Sequence, residues 1–397
     1  MGGPPAALAD YQSYPYLTRG VDYPAIELAD PAHRRSRFAP ELTATEAARV
    51  ERLMTDSVVI SLHDHPQLLP ADMADAYAHL HSRYPHTAFR ALRESGLNAV
   101  FDNWFGLLGT WRWEDLVAWV GTRAADIAHQ DGAVLARGVD EIRSASREGR
   151  VAFVLGAEAA TSIENDLNRL DVLYGMGVRQ LGLVYAESNS LGSGQKETRD
   201  GGLTTFGRRA VARMNALGIL VDVSHASDQT SLDAIEASTK PVAITHAGAR
   251  AVWPIPRMKP DEVLTACAER GGVLGFEAAP HTTISYGHRA HSIESVMDHF
   301  TYAVDLIGIE HVAFGPDTFY GDHVEFHHAT GGALGLSSML DPGDEPFESV
   351  AHVDGLENPT ENFRNITRWL VQHGYSDSEI AAVLGGNILR VLEEAWR

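Results

Sequence analysis

Eight short apolar segments alternate with helical segments along this chain of 397 residues, and the alternation predicts an α/β fold of the (β/α)8 (TIM) barrel class. A second observation supports the barrel: no glycine-rich phosphate-binding turn follows an early strand, as a doubly wound open sheet would require. The predicted strands are SVVISL (57–62), LNAVFD (97–102), VAFVLGAE (151–158), VRQLGLVY (178–185), LGILVDVSH (217–225), KPVAITH (240–246), GGVLGFE (271–277) and IEHVAFGPD (309–317).

Helices are predicted between the strands and at both ends of the barrel. Segments such as WEDLVAWVGTRAADIAHQ and FGRRAVARMNALG separate strands, and PTENFRNITRWLVQHG follows the last one. Thr43 and Glu46 form a capping-box pattern that opens a helix leading into the first strand. Residues 1–42, rich in Pro, Tyr and charge, are predicted to be an N-terminal arm on the surface, and residues 43–397 a single (β/α)8 domain.

The composition excludes several classes of function. The formal net charge is -21, from 32 Lys and Arg against 53 Asp and Glu, so neither nucleic acid nor an anionic membrane is an expected partner. Cys267 is the only cysteine, which excludes an internal disulfide, a CxxC zinc site and an iron–sulfur cluster. Neither a secretory leader pattern nor an apolar run of about 18 residues is found, so a cytoplasmic location is expected. Any metal would sit on histidines and carboxylates.

Two His-x-His pairs have different predicted settings. His63 and His65 end a strand, where residues two apart share a face, so both can reach one ion. His79 and His81 fall in the alanine-rich helical segment ADMADAYAHLHSRY, where residues two apart point to different sides. The second pair is therefore expected on a solvated helix face.

Six candidate metal ligands lie at the ends of predicted strands. In a (β/α)8 barrel these ends converge on one mouth, where active sites form. Imidazole and carboxylate without thiolate suit Zn²⁺, Mn²⁺ or Fe²⁺, with Zn²⁺ the first choice. Two neighbouring ions need a bridging carboxylate, and Glu158 is the strand-end acid between the two histidine groups. A water molecule between two such ions is deprotonated near neutral pH and attacks a carbonyl. The six residues are His63, His65, Glu158, His225, His246 and Asp317.

A series of motifs carries a family resemblance from about residue 45 to the C-terminus. The most specific is GLTTFGRRAVARMNALGILVDVSHASD (202–228); the others are LHDHPQLLP (62–70), LGAE (155–158), ITHAGAR (244–250), RMKPDEVL (257–264), HVAFGPD (311–317) and GGNILRVLE (385–393). In order and spacing this set resembles the membrane (renal) dipeptidases of the amidohydrolase superfamily.

The resemblance implies a role for each candidate residue. Asp317 would take a proton from the nucleophilic water and pass it to the leaving amine. Arg257 matches the family arginine that binds the terminal carboxylate of the substrate, for which a bidentate guanidinium is well shaped. The family also suggests a homodimer. One ion would be held by His63, His65, Glu158 and Asp317, and the other by Glu158, His225 and His246, with Glu158 as the bridge.

Two positions depart from the family pattern. The first family motif is His-x-Asp, whereas this sequence has His65 at the second ligand position, which makes the site one charge more positive. At the end of the fourth strand the family carries a substrate-contacting histidine, and this chain has Tyr185, whose hydroxyl can still donate to an oxyanion. Tyr185 and Arg257 are therefore the predicted substrate-binding residues.

Two more clusters are expected near the mouth. The loop NWFGLLGTWRWED either walls an apolar pocket or packs a helix on the barrel; its aromatic residues are Trp104, Phe105, Trp111 and Trp113. The long glycine-rich segment after the eighth strand has the length of an active-site lid. Its histidines, expected to be solvated loop residues, are His323, His327 and His328.

The sequence predicts a binuclear metallohydrolase that cleaves an amide bond of a small, carboxylate-bearing, dipeptide-like substrate through a metal-bridging hydroxide, with Asp317 and Glu158 as catalytic residues. Two alternatives remain open. One is a mononuclear deaminase-like amidohydrolase, whose ligand set also contains a His-x-His pair, two later histidines and a final Asp; Glu158 argues against it. The other is a non-hydrolytic Mn/Fe enzyme or partner subunit on the same scaffold.

Overall fold

One parallel sheet organises the chain, whose computed structural model describes residues 12–31, 38, 40–107, 109–334 and 336–397. Within these residues the strands follow the order β1-β2-β4-β5-β6-β7-β8-β9, and the short β3 pairs with β4 outside this path. The strands are β1 (Ile60–Asp64), β2 (Ala99–Trp104), β3 (Ala133–Leu135), β4 (Val151–Ala157), β5 (Val178–Gly182), β6 (Leu220–Asp222), β7 (Ala243–Ala247), β8 (Val273–Phe276) and β9 (Val312–Phe314).

The sheet curves into a ring whose first and last strands meet. The backbone N–H of Asp317 donates to the carbonyl of His63 at 3.0 Å, and that of His65 donates to the carbonyl of Thr318 at 3.1 Å, so the chain after β9 is joined to the end of β1. Eight parallel strands with intervening helices make a (β/α)8 barrel, and this prediction is confirmed. The ninth strand, β3, is an addition that the sequence analysis missed.

Helices surround the ring and cover its ends. In the described part of the chain they are α1 (Ala44–Asp56), α2 (Ala76–His81), α3 (Phe89–Ser95), α4 (Trp113–Ala128), α5 (Val139–Arg147), α6 (Asn168–Met176), α7 (Thr205–Leu217), α8 (Asp228–Ala237), α9 (Asp261–Glu269), α10 (Ile293–Ile307), α11 (His323–Leu334), α12 (Asn362–Gln372), α13 (Asp377–Ala381) and α14 (Asn387–Ala395). A π-helical turn, Ala382–Gly386, joins the last two.

Burial explains why the strands read as continuous apolar runs. Every residue of β1, β2 and β4 is buried, as expected for parallel strands covered on both faces. Ile60 and Leu62 of β1 share a buried cluster with Ile388 and Leu392 of α14. A larger cluster fills the space between the strands and the outer helices.

Local signals fix the start of the barrel. The capping box predicted for α1 is present: the amide of Glu46 donates to the Thr43 hydroxyl at 3.2 Å, and the amide of Thr43 donates to the Glu46 carboxylate at 2.8 Å. In the segment before α1, Tyr14 is buried and its hydroxyl donates to the carbonyl of Pro85 at 2.8 Å. Among the described helices none has both the length and the apolar character to span a bilayer.

Candidate active site

The six predicted metal ligands converge at the C-terminal mouth of the barrel. His63 lies in β1 with His65 just beyond it, Glu158 follows β4, and the other three lie in β7 or shortly after β6 and β9. Their donor atoms form three overlapping groups, within each of which the atoms lie within 4.8 Å of one another. The groups are His63, His65 and Glu158; Glu158, His225 and His246; and His63, His246 and Asp317.

Glu158 lies between two sets of histidines. Its Oε1 is 3.1 Å from Nε2 of His65 and 3.5 Å from Nε2 of His63, whereas its Oε2 is 3.2 Å from Nε2 of His225. Burial raises the pKa of this carboxyl, but hydrogen bonds with His225, His63 and His65 outweigh burial and hold the pKa well below its usual range. The carboxylate is therefore ionised at neutral pH, with one oxygen directed to each side.

Asp317 occupies a strained backbone position beside the same histidines. Its φ of 59° lies in the left-handed region, which costs a non-glycine residue about 1–3 kcal/mol. Its Oδ1 is 3.1 Å from Nε2 of His65 and 3.5 Å from Nε2 of His63. Burial raises the pKa of Asp317, but hydrogen bonds with His63 and His65 lower it well below its usual range. With 17% of the side chain exposed, this carboxylate faces both the histidines and the open cavity.

The outer nitrogen of each histidine ring has a polar neighbour that fixes the ring. Nδ1 of His65 lies 3.0 Å from the carbonyl of Asn103, and Nδ1 of His246 lies 2.9 Å from the Thr245 hydroxyl. A carbonyl accepts only from a protonated Nδ1, so once His65 loses its second proton the free lone pair is on Nε2. Such partners orient metal-binding histidines.

Two side-chain amides contact the remaining rings. Nδ1 of His63 is 3.1 Å from the amide of Asn103, and Nδ1 of His225 is 3.3 Å from that of Gln195. The amide oxygens of both residues are buried and have no hydrogen-bond partner in the described part of the chain. A half-turn of each amide would present that oxygen to a protonated Nδ1 and satisfy it, because amide oxygen and nitrogen are nearly isosteric. In that arrangement each Nε2 carries a free lone pair.

The donor set fits divalent cations. Nε2 of His63 is buried, and the nearest oxygens of Glu158 and Asp317 are each 3.5 Å away, at the outer limit of a hydrogen bond. Nε2 of His225 lies 2.9 Å from Nε2 of His246, and burial lowers the pKa of His225 to about 4 and that of His246 well below its usual value. Two neutral nitrogens at this distance require a proton or a cation between them. Four imidazoles and two carboxylates are ligands that zinc accepts.

Two buried aspartates hold the strand ends that carry these ligands. Asp222, the last residue of β6, accepts hydrogen bonds from the amides of Ser224 and Thr245 at 3.0 and 3.1 Å. Asp64, the last residue of β1, lies between His63 and His65 and accepts from the amide and hydroxyl of Thr318 at 2.9 and 2.8 Å. Neither aspartate was predicted to have a role, although each is a charged residue inside an apolar run, which is the signal of a buried polar contact.

A cavity opens above the cluster, with about 40 Å³ available to the centre of a water molecule. Part of its wall is apolar, with Phe105, Phe319, Phe326 and Met339. The polar part includes both predicted substrate-binding residues, Arg257 and Tyr185, together with the ligands His65, Glu158, His225 and Asp317. The mixed lining suits a small molecule that presents a few polar groups.

Tyr185 and Arg257 both line the cavity. The ring of Tyr185 lies 4.3 Å from that of His225, and burial raises its pKa well above the usual value, so the hydroxyl stays protonated and can donate. Arg257 is 3% exposed and donates to the carbonyl of His246 at 2.8 Å. It also forms an ion pair with Glu277, a buried residue just after β8 that the sequence analysis did not select.

Two of the histidines expected in solvent, His79 and His323, are buried, and a third, His327, is half-buried. His323 and His327 belong to α11, a helix where a loop was expected; His323 is 3% exposed and His327 lines the cavity. His79 is 4% exposed because α2 packs against α11. The expectation was right for His81 and His328, which are exposed. Periodicity misled here because α11 has little apolar asymmetry to mark it as a helix.

The aromatic loop has both of its anticipated roles. Phe105 lines the cavity and contacts His65, with ring centres 4.8 Å apart. Trp104 lies at the end of β2 and packs edge-on against Trp111 at 5.4 Å. Trp113 packs against the core outside the cavity. The loop therefore walls the site with one residue and anchors it with the others.

Comparison with known proteins agrees with this architecture. The fold and the converging ligands define a (β/α)8 barrel with a candidate metal centre at its C-terminal mouth. The family profile of the membrane dipeptidases, peptidase family M19, matches residues 47–330 and 335–397. The chain therefore belongs to the membrane dipeptidase family, which confirms the resemblance drawn from its motifs.

Curated relatives share part of their length with this chain. Dipeptidase tcpJ of Claviceps purpurea is 28% identical over 269 residues, 67% of this chain and 56% of the relative. Dipeptidase aclJ of Aspergillus oryzae is 30% identical over 247 residues, 62% and 51% of the two chains. This chain thus spans about half the length of these relatives.

Solved structures share the fold along most of the chain. An amidohydrolase from Pseudomonas aeruginosa superposes with a TM-score of 0.73 at 25% identity, covering 87% of this chain and 99% of the other. A metallo peptidase from Rhodobacter sphaeroides, liganded with a phosphinate mimic of the dipeptide L-Ala-D-Ala, superposes with a TM-score of 0.68 at 21% identity, covering 86% and 100%. The second likeness is one of fold.

Proposed function

We propose that this protein is a metal-dependent hydrolase that cleaves the amide bond of dipeptides or similar small substrates bearing a carboxylate. One observation carries the proposal: the two oxygens of Glu158 face different histidines, Oε1 toward His65 at 3.1 Å and Oε2 toward His225 at 3.2 Å. This is the arrangement required of a carboxylate that bridges two ions. Membership of the membrane dipeptidase family supports the reaction class.

The residues present would hold two divalent ions, with Zn²⁺ as the first choice and Mn²⁺ or Fe²⁺ as alternatives. Bound ions would supply Lewis-acid chemistry, polarising the scissile carbonyl and lowering the pKa of a water molecule. One site would consist of His63, His65, Glu158 and Asp317, and the other of Glu158, His225 and His246.

Asp317 is the proposed proton carrier. Its low pKa keeps it ionised, so it can accept a proton from the attacking water, and its partial exposure lets it deliver that proton to the leaving amine. The neutral hydroxyl of Tyr185 would donate a hydrogen bond to the oxygen of the carbonyl under attack. Arg257, which lines the same cavity, would receive the carboxylate of the substrate.

His65 sets the charge of the site. With an imidazole at this position the proposed ligand set contains two carboxylates, Glu158 and Asp317, against four positive charges from two divalent ions. A carboxylate there would lower the net charge by one. We therefore expect weaker retention of the second ion than in a His-x-Asp site and a lower pKa of the attacking water.

Metal content and hydrolysis test the proposal together. We expect two equivalents of zinc per chain by elemental mass spectrometry, and hydrolysis of L,L or L,D dipeptides by the zinc-loaded protein. Glu158→Gln should lower the metal content and reduce kcat at least about 10³-fold, because it removes one charged oxygen from the bridge. Glu262→Gln, at an exposed position of α9, is the matched control and should change neither.

The possible results separate the candidate functions. One equivalent of zinc would favour the mononuclear deaminase-like alternative. Tight binding of Mn or Fe without hydrolysis would favour the non-hydrolytic one. Absence of metal uptake after addition of zinc would refute the site assignment.

Assembly and location form a separate part of the proposal. By its family resemblance we propose a homodimer, and we propose a cytoplasmic location. Light scattering coupled to size-exclusion chromatography would test the first, with a mass near 43.2 kDa contradicting it. Fractionation of the producing cells would test the second.

A further inference from the structure

The guanidinium of Arg257 is already engaged by the protein. Nη1 donates to the carbonyl of Ser224 at 3.2 Å. Nη2 donates to the carbonyl of His246 at 2.8 Å and to the carboxylate of Glu277. Glu277 has no exposed surface and reaches Arg257 from behind the cavity wall, after the end of β8.

These contacts limit how Arg257 can bind a substrate. A guanidinium has five N–H donors, and a bidentate carboxylate needs two parallel ones, from Nη1 with Nη2 or from Nε with Nη2. Both donors of Nη2 are taken, one by His246 and one by Glu277. The two remaining N–H donors, one on Nη1 and one on Nε, lie on different edges of the guanidinium and therefore cannot form a bidentate pair with one carboxylate. While the pair with Glu277 holds, a carboxylate can accept a single hydrogen bond from Arg257.

The charge of Arg257 is also offset. Among the described residues that line the cavity, Arg257 is the one arginine or lysine, and Glu277 pairs with it in the protein interior. Glu158 and Asp317 lie in the same cavity and repel an incoming anion until ions neutralise them. The cavity therefore lacks an uncompensated basic side chain to attract a free carboxylate.

We propose that Glu277 is a positioning residue that occupies hydrogen-bond donors of the Arg257 guanidinium and offsets its charge. As a consequence, this site cleaves substrates whose C-terminus is uncharged, such as dipeptide amides, about as well as free dipeptides. The inference rests on the proposed hydrolytic function and specifies its substrate class. It contrasts with a site in which an unpaired arginine selects for a terminal carboxylate.

The first test compares two substrates on the zinc-loaded wild-type protein. For an L,L-dipeptide and its C-terminal carboxamide, we expect kcat/KM values within about tenfold of each other, since a single hydrogen bond from an arginine whose charge is offset by Glu277 discriminates weakly. A preference of more than about 100-fold for the free dipeptide would overturn the inference. This measurement requires no variant.

The second test removes the charge of Glu277. Glu277→Gln should lower KM for the free dipeptide about tenfold, because it frees the positive charge of Arg257. It should leave kcat within about twofold, and KM for the carboxamide unchanged. Glu277→Asp, which keeps the charge, should retain the wild-type preference. An equal change for both substrates would indicate a purely structural role and refute the inference.

A control and a binding measurement complete the design. Asp228→Asn removes the charge from another arginine–carboxylate pair, with Arg250, that does not line the cavity, and it should leave the preference unchanged. If the wild-type protein hydrolyses neither substrate, the proposed function fails. Calorimetric binding of a phosphinate dipeptide mimic and of its carboxamide then decides the inference separately: similar affinities support it, and a 100-fold preference for the carboxylate refutes it.

Discussion

Asp222→Ala is the substitution whose cost follows most directly from the structure. The carboxylate of Asp222 accepts at Oδ1 from the amides of Ser224 and Thr245 and from the Ser224 hydroxyl at 2.5 Å. At Oδ2 it accepts from the amide of Gln180 at 2.9 Å and from the Thr245 hydroxyl at 2.7 Å. These contacts tie the end of β6 to β5 and β7, next to His225 and His246.

The expected cost comes mainly from the backbone. Alanine leaves the two buried backbone N–H groups and the buried side-chain amide of Gln180 without their acceptor, at about 1–3 kcal/mol each, whereas the two hydroxyls can rotate toward other acceptors. We therefore expect the free energy of unfolding to fall by at least about 3 kcal/mol. Loss of a partner that orients metal-binding side chains typically weakens metal affinity by about 10–100-fold, and a loss of that size is expected for zinc here.

Urea unfolding of the metal-free protein and zinc titration against a chelating dye would measure the two effects. Asp222→Asn keeps one acceptor oxygen and should cost less than Asp222→Ala. Asp56→Ala removes an exposed acid at the end of α1 and is the control for the change in charge. A loss of stability below about 1 kcal/mol in Asp222→Ala, with unchanged zinc affinity, would refute the reasoning.

Two further predictions concern the metal ligands. Burial lowers the pKa of His63 and His65, but their hydrogen bonds and ion pairs with Asp317 and Glu158 raise it to about 9 and about 10 in the metal-free chain. The resulting stabilisation is fully present below the unfolded pKa of about 6.5 and is lost as pH rises through the folded values. The urea concentration at the unfolding midpoint of the metal-free chain should therefore decrease between pH 7 and pH 10. For the same reason zinc binding at pH 7 should release about two protons, measured by calorimetry in buffers of different ionisation enthalpy. Zinc binding without proton release would contradict the raised pKa values of the two histidines. Gly182→Ala should cost at least about 1–3 kcal/mol and reduce zinc content, because a Cβ there overlaps the carbonyl oxygen of Glu158. Gly121→Ala, with open space around its Cβ, is the control, and equal zinc content in both variants would show that the barrel adjusts without moving Glu158.

Periodicity and strand ends were sufficient to predict the barrel. Each of the eight predicted strands is present, because strands covered on both faces must be apolar along their whole length. The strand β3, Ala133–Leu135, was missed because three residues show no period and its pairing with β4 depends on tertiary structure. Helix α11 was missed for a related reason: its two faces differ little in hydrophobicity.

The candidate site was predictable where a residue type has few other uses. Histidines at strand ends stood out, and the structure brings all of them to one mouth. Glu277 also ends a predicted strand, yet a single acid gives no indication of its partner, and the pair with Arg257 forms across loops that periodicity does not describe. Asn103 and Gln195 escaped notice because amides are common on surfaces, and their role depends on which ring they face.

The hydrogen bonds that connect the end of β1 to the segment after β9 also have a consequence for biosynthesis. Asp64 and Thr318, which form such hydrogen bonds, are 254 residues apart in the chain. During synthesis His63 and His65 emerge early, but the cluster stays incomplete until Asp317 has left the ribosome and the ring has closed. Retention of the ion assigned to His63, His65, Glu158 and Asp317 would then report the final step of maturation, and that ion would hold the ends of β1 and β9 together in the newly made barrel.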